Sequence, residues 1–277
     1  MSKIAMITGA SSGIGLATTS ALAAAGWEVV ATARQPETAD TLRALAAALP
    51  TVQVRALDVT SDASVASCVS SVIDDLGAVD LLVNNAGAGH RGTLEQLDVR
   101  ELAQTMDLNY LGVARVTKAV LPGMRVARAG RIITVTSLNG VVALPFSDAY
   151  NASKFAVEGL MEGLAAVMRE FGVHVSVLEP GPVRTPFFAK LGGSVDNIAA
   201  DDPYKELIDR FTATMAALGS AGQSPESVAE VICQIAADPS PALRYQSSAD
   251  AAGFAARKLV DPTGNSILDA TGALLQM

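Results

Sequence analysis

Tyr150 and Lys154 lie four positions apart in Tyr150-Asn151-Ala152-Ser153-Lys154, and Ser137 precedes the tyrosine by thirteen residues. If residues 150–172 are helical, the phenol and the ammonium fall one turn apart on one face. An ammonium there favours ionisation of a phenol that otherwise titrates near 10, which brings proton exchange within reach of neutral pH. A serine hydroxyl beside that pair completes an acid–base device for a carbonyl or an alcohol. By itself Y-x-x-x-K arises by chance about 0.09 times in a chain of this composition. A surface helix pair is the plain alternative, so the neighbouring elements must decide.

The first of these elements is a glycine loop. Residues 3–8 form a short apolar run that reads as a buried strand, and Thr8-Gly9-Ala10-Ser11-Ser12-Gly13-Ile14-Gly15 follows, ahead of an Ala/Leu-rich helix to about Ala25. Glycines let backbone amides approach a pyrophosphate, and a helix start adds free N–H groups and the positive end of its dipole. A glycine turn without a ligand is the alternative. The second strand, 28–33, ends at Arg34 with no carboxylate until Glu37. An acid at that point would bind ribose hydroxyls, whereas a guanidinium binds a 2′-phosphate, so NADP(H) is expected and NAD(H) is the lesser expectation. The third strand, 52–57, ends at Asp58-Val59, where Asp58 could accept from an adenine amino group or cap the helix at 62–76.

A fourth strand at 79–83 ends in Asn84-Asn85-Ala86-Gly87, residues that suit a turn beside a ligand. A helix from Asp98 to about Lys118 contains Asn109, a mediocre helix former, and should stop before Pro122. Strand 131–136 delivers Ser137, loop 138–149 follows, and Ser147 or Asp148 can cap the helix that carries Tyr150. Strand 173–178 leads into Pro180-Gly181. Strands alternating with helices of this length indicate βαβ units, so the expected fold is α/β: a Rossmann-type, doubly wound parallel sheet with helices on both faces. All 277 residues read as a single dinucleotide-binding and catalytic domain. Residues 182–224, interrupted by Pro186, Gly192, Gly193 and Pro203, read as a helical lid insertion over the ligand edge. There Tyr204, Leu207, Ile208, Phe211, Met215 and Leu218 follow helical spacing, as core or as the apolar underside of the lid. Helix 225–237 and a possible last strand near 243–246 complete the chain.

Half of the residues are hydrophobic and the net charge is −8 without a basic run, which argues against nucleic acid or an anionic membrane as partner. No apolar run approaches the ~18 residues of a membrane span. Cys68 and Cys233 read as free thiols, and His90 and His174 are too few and too separated for a metal site. A cytoplasmic location is expected. On the 150–172 helix, Ala152, Ala156, Gly159 and Gly163 gather on a face away from Tyr150 and Lys154. They form either an internal packing surface or, as expected here, a contact in a homodimer or homotetramer.

T-G-x-x-x-G-I-G, N-N-A-G, Asn109, Ser137, Y-x-x-x-K and Pro180-Gly181, in this order, closely resemble the short-chain dehydrogenase/reductase family over about residues 3–237. The Ala-Thr-Ala-Arg34 strand end and the tail through Asp261-Pro262-Thr263-Gly264 look more like its hydroxysteroid and retinol dehydrogenase branch. The resemblance implies that Tyr150 is the acid–base catalyst, that Ser137 polarises the substrate oxygen, and that Lys154 holds the nicotinamide ribose and lowers the phenol's pKa. It gives Asn109 a water-linked proton path to Lys154. Gly9, Ser11, Ser12, Gly13, Ile14 and Gly15 would border the pyrophosphate, Arg34 the ribose, and Asp58 and Val59 the adenine. Asn85, Ala86 and Gly87 would line the cofactor cleft, with Pro180, Gly181, Val183 and Thr185 beside the nicotinamide. Leu144, Phe187 and Phe188 would join Ser137 and Tyr150 on the substrate side. The implied function is NADPH-dependent hydride transfer between nicotinamide and a bulky hydrophobic ketone or secondary alcohol. The alternatives are an epimerase or dehydratase, and a nucleotide-sensing or scaffold protein on the same fold.

Overall fold

The computed structural model describes residues 3–185, 187, 192–193, 198–256, 258 and 261–265. In chain order, the first half comprises β1 (Ile4–Ile7), α1 (Gly13–Ala24), β2 (Glu28–Ala33), α2 (Asp40–Ala48), β3 (Val52–Ala56), α3 (Asp62–Leu76) and β4 (Leu81–Asn84). A two-residue strand β5 (His90–Arg91) precedes α4 (Val99–Met106), α5 (Gly112–Ala127), β6 (Gly130–Val135), α6 (Asp148–Arg169) and β7 (Val173–Glu179). The remainder is β8 (Gly192–Gly193), α7 (Lys205–Ser220), α8 (Pro225–Ala237), β9 (Arg244–Gln246) and α9 (Ala249–Ala255).

The main sheet is all parallel, in the order β3-β2-β1-β4-β6-β7-β9. Its strands are short apolar runs because both faces are covered, and alternate residues serve alternate faces. Met6, Val30, Leu82 and Ile132 pack on one face with Val65 of α3, Val116 of α5 and Met161 of α6. Ala5, Ile7, Val29, Val83 and Ile133 pack on the other with Leu22 of α1, Leu42 of α2 and Ile232 of α8. Each fully buried side chain of this size contributes about 1.5–3 kcal/mol, so the two layers hold the sheet rigid beneath its loops. The strand order reverses beside β1, where β4 lies against it. The carboxyl-end crevice at such a switch point is where open α/β sheets bind ligands.

Several sequence expectations shift. The helix expected to stop before Pro122 continues to Ala127 with Pro122 inside it, and it is broken earlier instead, by a π turn at Asp107–Leu111 between α4 and α5. Asn109 sits on this turn, and its side chain bonds Ala88 and Ser153 rather than its own helix. The helix of Tyr150 spans Asp148–Arg169 rather than 150–172, and Ser147 occupies its N-cap position without a side-chain capping bond. Loop 138–149 opens with a 3-10 turn at Leu138–Gly140. Asp58 does not cap α3; Ser61 does, accepting from Ser64 N. Of the stripe expected under the lid, Ile208 is buried, but Leu207 and Leu218 are exposed.

Candidate active site

The site is assembled from the carboxyl ends of β1, β4, β6 and β7. Thr8 and Asn85 join the first two. Thr8 Oγ1 accepts from Asn85 N and Ala86 N, both at 2.9 Å, while Asn85 Nδ2 donates to the carbonyls of Thr8 (2.9 Å) and Gly9 (3.0 Å). The glycines here are steric necessities. Gly9 has φ +68, and a Cβ on it would stand 2.8 Å from Ala86 Cα. A Cβ on Gly15 would stand 2.5 Å from Asn85 Nδ2 and from Gly9 O. Gly15 thus seats α1 against the strands, and it does not itself line the cleft. The first turn of α1 has no side-chain cap, because Ser12 makes no capping bond, so its amides remain for an anion.

A cavity of about 510 Å³ runs from this loop across the sheet edge. Gly9, Ser11, Ser12, Gly13, Ile14, Arg34, Val59, Asn85, Ala86, Gly87, Pro180, Gly181, Val183 and Thr185, all named from the sequence, line it. Asp58 does not: its Oδ1 accepts from Thr60 N (2.9 Å) and Thr60 Oγ1 (2.7 Å), bonds that hold the carboxyl below its usual range. Leu57 and Val59 form the wall at that point. A glycine-lined cradle beside an uncapped helix start, with Arg34 exposed at its rim, fits a dinucleotide phosphate.

Ser137, Tyr150 and Lys154 line the same cavity. Ser137, at the end of β6, hydrogen-bonds the Tyr150 phenol, and Asn139 N donates to Ser137 Oγ at 3.1 Å. Lys154 Nζ lies 5.7 Å from the Tyr150 ring centroid and donates to the Val135 carbonyl at 3.1 Å. Asn109, fully buried on the π turn, exchanges two bonds with Ala88, accepting from its N (3.0 Å) and donating to its O (2.9 Å). It also donates to Ser153 Oγ at 3.0 Å, beside Lys154 in sequence. Gly87 fits between the two groups: a Cβ there would stand 3.1 Å from Asn109 Oδ1 and 3.8 Å from Lys154 Nζ.

Electrostatics departs from the sequence expectation. Burial pushes the Tyr150 phenol up to about 12, with the Ser137 hydrogen bond opposing, and burial pulls the Lys154 ammonium down to about 8, with Glu158 opposing. Desolvation outweighs the lowering of the phenol expected from the ammonium. At neutral pH Tyr150 therefore holds its proton and can donate it.

The apolar end of the cavity is formed by Leu138, Leu144, Phe187, Phe211 and Met215. The Phe187 ring packs tilted against that of Tyr150, with centroids 5.8 Å apart, while Phe188 lies outside the described residues. Sequence reasoning missed Asn139 and Asn151, whose side chains bond at 2.7 Å and brace the loop after Ser137. It missed His90 and Arg91 in the wall as well. It also missed Phe146, held at φ +55 next to α6 and packed edge-on to Phe211 at 5.4 Å. None of these carried a spacing signal, because their roles depend on partners that only the folded chain brings together. Among the described residues, no cluster of His, Cys, Asp or Glu could hold a metal, and no helix is long and apolar enough to cross a membrane.

Comparison with known proteins agrees with this geometry. The family model for short chain dehydrogenases matches residues 3–195. Human retinol dehydrogenase 8 is 38% identical over 283 residues, covering 99% of this chain and 90% of that protein. Human 17-beta-hydroxysteroid dehydrogenase type 1 is 38% identical over 278 residues, covering 96% of this chain and 84% of that protein. The crystal structure of a short-chain dehydrogenase from Streptomyces avermitilis superposes with a TM-score of 0.81 at 32% identity, covering 100% of this chain and 95% of that one.

Proposed function

The chain belongs to the short-chain dehydrogenase family of oxidoreductases, and on that premise we propose that it transfers hydride between NADP(H) and a bulky hydrophobic ketone or secondary alcohol. One observation carries the reading: a single cavity is lined at one end by the glycine loop and Arg34, at its centre by Ser137, Tyr150 and Lys154, and at the other by apolar side chains. The apolar side chains of that last part, and the kinship with enzymes named for retinol and steroid substrates, support a bulky apolar substrate.

The uncapped start of α1 and the loop from Gly9 to Ile14 hold the pyrophosphate, Arg34 holds a 2′-phosphate, and Asn85 to Gly87 with Pro180, Gly181, Val183 and Thr185 border the nicotinamide half. The bound nicotinamide supplies or accepts the hydride. In reduction, negative charge grows on the substrate oxygen. Ser137 donates a hydrogen bond to it, and Tyr150 delivers its proton to it. Lys154 keeps a cation beside the phenol as the proton leaves, and Asn109 supports a water-linked resupply of that proton.

Several coarser points complete the reading. The chain acts as one catalytic domain, with residues 182–224 as the substrate cover. It assembles as a homodimer or homotetramer through α6. There Ala152, Gly159 and Gly163 are exposed and Ala156 is half-buried, and a Cβ on either glycine would touch nothing within 4 Å. Its location is cytoplasmic, consistent with two unpaired cysteines.

The test is spectrophotometric: purified protein with NADPH or NADH against a panel of ketones and aldehydes, and with NADP or NAD against secondary alcohols. Turnover of bulky apolar carbonyls with NADPH is expected. A protein that binds nucleotide but turns over nothing would instead support the nucleotide-sensing reading.

A further inference from the structure

Behind the catalytic lysine lies a charged cluster that the reaction above does not use. Glu158 follows Lys154 by one turn of α6 and is only 6% exposed, while Glu179, at the end of β7, is 0% exposed. Arg244, the first residue of β9, stands between them, with Nε 3.3 Å from Glu158 Oε2 and 3.4 Å from Glu179 Oε1. Its Nη2 donates to Glu162 Oε2, and Glu162 is the member of the cluster nearest solvent. Gln246 Nε2 donates to Glu179 Oε2 at 2.9 Å and to the Pro262 carbonyl at 3.1 Å. The groups that face Glu158 and Glu179 are therefore Lys154 and Glu162 from α6, Arg244 and Gln246 from β9, and the Thr136 hydroxyl just past β6.

The charges do not balance if every group is ionised. Three carboxylates, Glu158, Glu162 and Glu179, would face two cations, Lys154 and Arg244, which leaves the cluster one negative charge in excess, with Glu162 alone of the three reached by solvent. Such a charge is costly, and a buried carboxyl avoids the cost by keeping a proton. The hydrogen bonding agrees: Glu158 Oε1 and Glu179 Oε1 are both buried with no hydrogen-bond partner. Arg244 Nε donates to Glu158 Oε2 and stands 3.4 Å from Glu179 Oε1 without a hydrogen bond to it, and a proton held on one carboxyl is a donor for the other.

We propose that Glu158 and Glu179 form a carboxyl pair, bridged by Arg244 and holding one proton in common, that sets the charge of Lys154. The pair makes Glu158 and Glu179 positioning residues for the proposed reaction, and this role rests on that reading of Lys154. With one proton in the pair the whole cluster is neutral. Glu158, one turn from Lys154, opposes the loss of its ammonium. Burial raises both carboxyls, Glu179 to about 8, and the neighbouring Glu158 charge adds to the latter shift.

Two measurements on Glu158→Gln and Glu179→Gln test the pair. The first is the melting temperature as a function of pH, which needs no turnover. A carboxyl whose folded value is raised from 4.5 to about 8 contributes stability that is full below 4.5 and lost as pH rises through about 8. The wild-type melting temperature should therefore fall across that window, and in both variants the fall should flatten, because one shared proton no longer has to leave. The second is kcat/KM against pH. Glu158→Gln removes the anion nearest Lys154 and should move the alkaline limb to lower pH by about one unit. Melting curves that run parallel in wild type and both variants would overturn the shared proton, and an unmoved alkaline limb in Glu158→Gln would overturn its influence on Lys154. A wild type inactive on every carbonyl with either cofactor would sink the proposed function instead, leaving the melting test of the pair to stand.

Discussion

Tyr150, half-buried, and Lys154, buried, line one cavity, with the lysine nitrogen 5.7 Å from the phenol ring centre and tethered to the Val135 carbonyl. The tether fixes where the cation sits, so the phenol works against a stationary charge. Burial makes the phenol a held proton and the lysine a weakly held one, and both facts bear on experiment.

Tyr150→Phe removes the proton donor while leaving the ring that packs against Phe187. Turnover should drop by about 10²–10⁴-fold, the usual worth of a positioned general acid. Cofactor affinity, followed by quenching of protein fluorescence, should stay within about twofold. Full activity in this variant would end the proposed mechanism.

The pH profile should show its alkaline loss near 8, because the Lys154 ammonium is pulled down to about that value and activity needs the cation. Activity is present below that pH and disappears as the ammonium deprotonates. A profile flat to pH 10 would show that the lysine keeps its charge by other means.

Arg34→Asp replaces an exposed guanidinium at the cleft rim by a carboxylate. A charge-assisted bond is worth about 1.5–3 kcal/mol, so KM for NADPH should rise by roughly 10- to 100-fold, against little change for NADH. Equal changes for the two cofactors would refute the 2′-phosphate assignment.

Gly9→Ala puts a side chain on a residue at φ +68 and drives a methyl toward Ala86 Cα at 2.8 Å. Strain of this kind costs about 1–3 kcal/mol. The melting temperature should fall by several degrees, and the loop's affinity for dinucleotide should fall with it. An unchanged melting temperature would show that the loop moves aside freely.

Gly159→Arg tests assembly. The position is exposed and has room for a side chain, and replacing a mid-helix glycine favours the helix by about 0.5–1 kcal/mol. The variant should fold normally by circular dichroism yet elute as a monomer. Unchanged elution as an oligomer would move the contact elsewhere, and a monomeric wild type would remove it.

Much of the architecture was legible because it depends on local patterns. Runs such as Ile4–Ile7 and Leu81–Asn84 announce buried strands, and Ser224-Pro225 announces a helix start that the structure places there. Ser137, Tyr150 and Lys154 were legible because chain order and spacing tie them to a strand end and a helix face. What escaped depends on partners distant in sequence. Glu179 and Arg244 meet only because β9 adds to the sheet beside β7, and no spacing rule foretells that two buried acids will share one guanidinium. The cap of α3 escaped for the opposite reason, since Thr60, two residues from Asp58, takes its Oδ1 and Ser61 caps the helix instead. The direction of the Tyr150 shift also escaped, because the cost of desolvating a phenol cannot be weighed before its surroundings are known.

The π turn at Asp107–Leu111 inserts a surplus residue into what would otherwise be one even rod. It changes the angular phase between α4 and α5, and that offset is what aims Asn109 at Ala88 and Ser153. Deleting a single residue from this stretch would let the rod wind smoothly, and the amide would swing by about 100°. The chain would keep its sheet and its cleft, and lose the aim of one polar group.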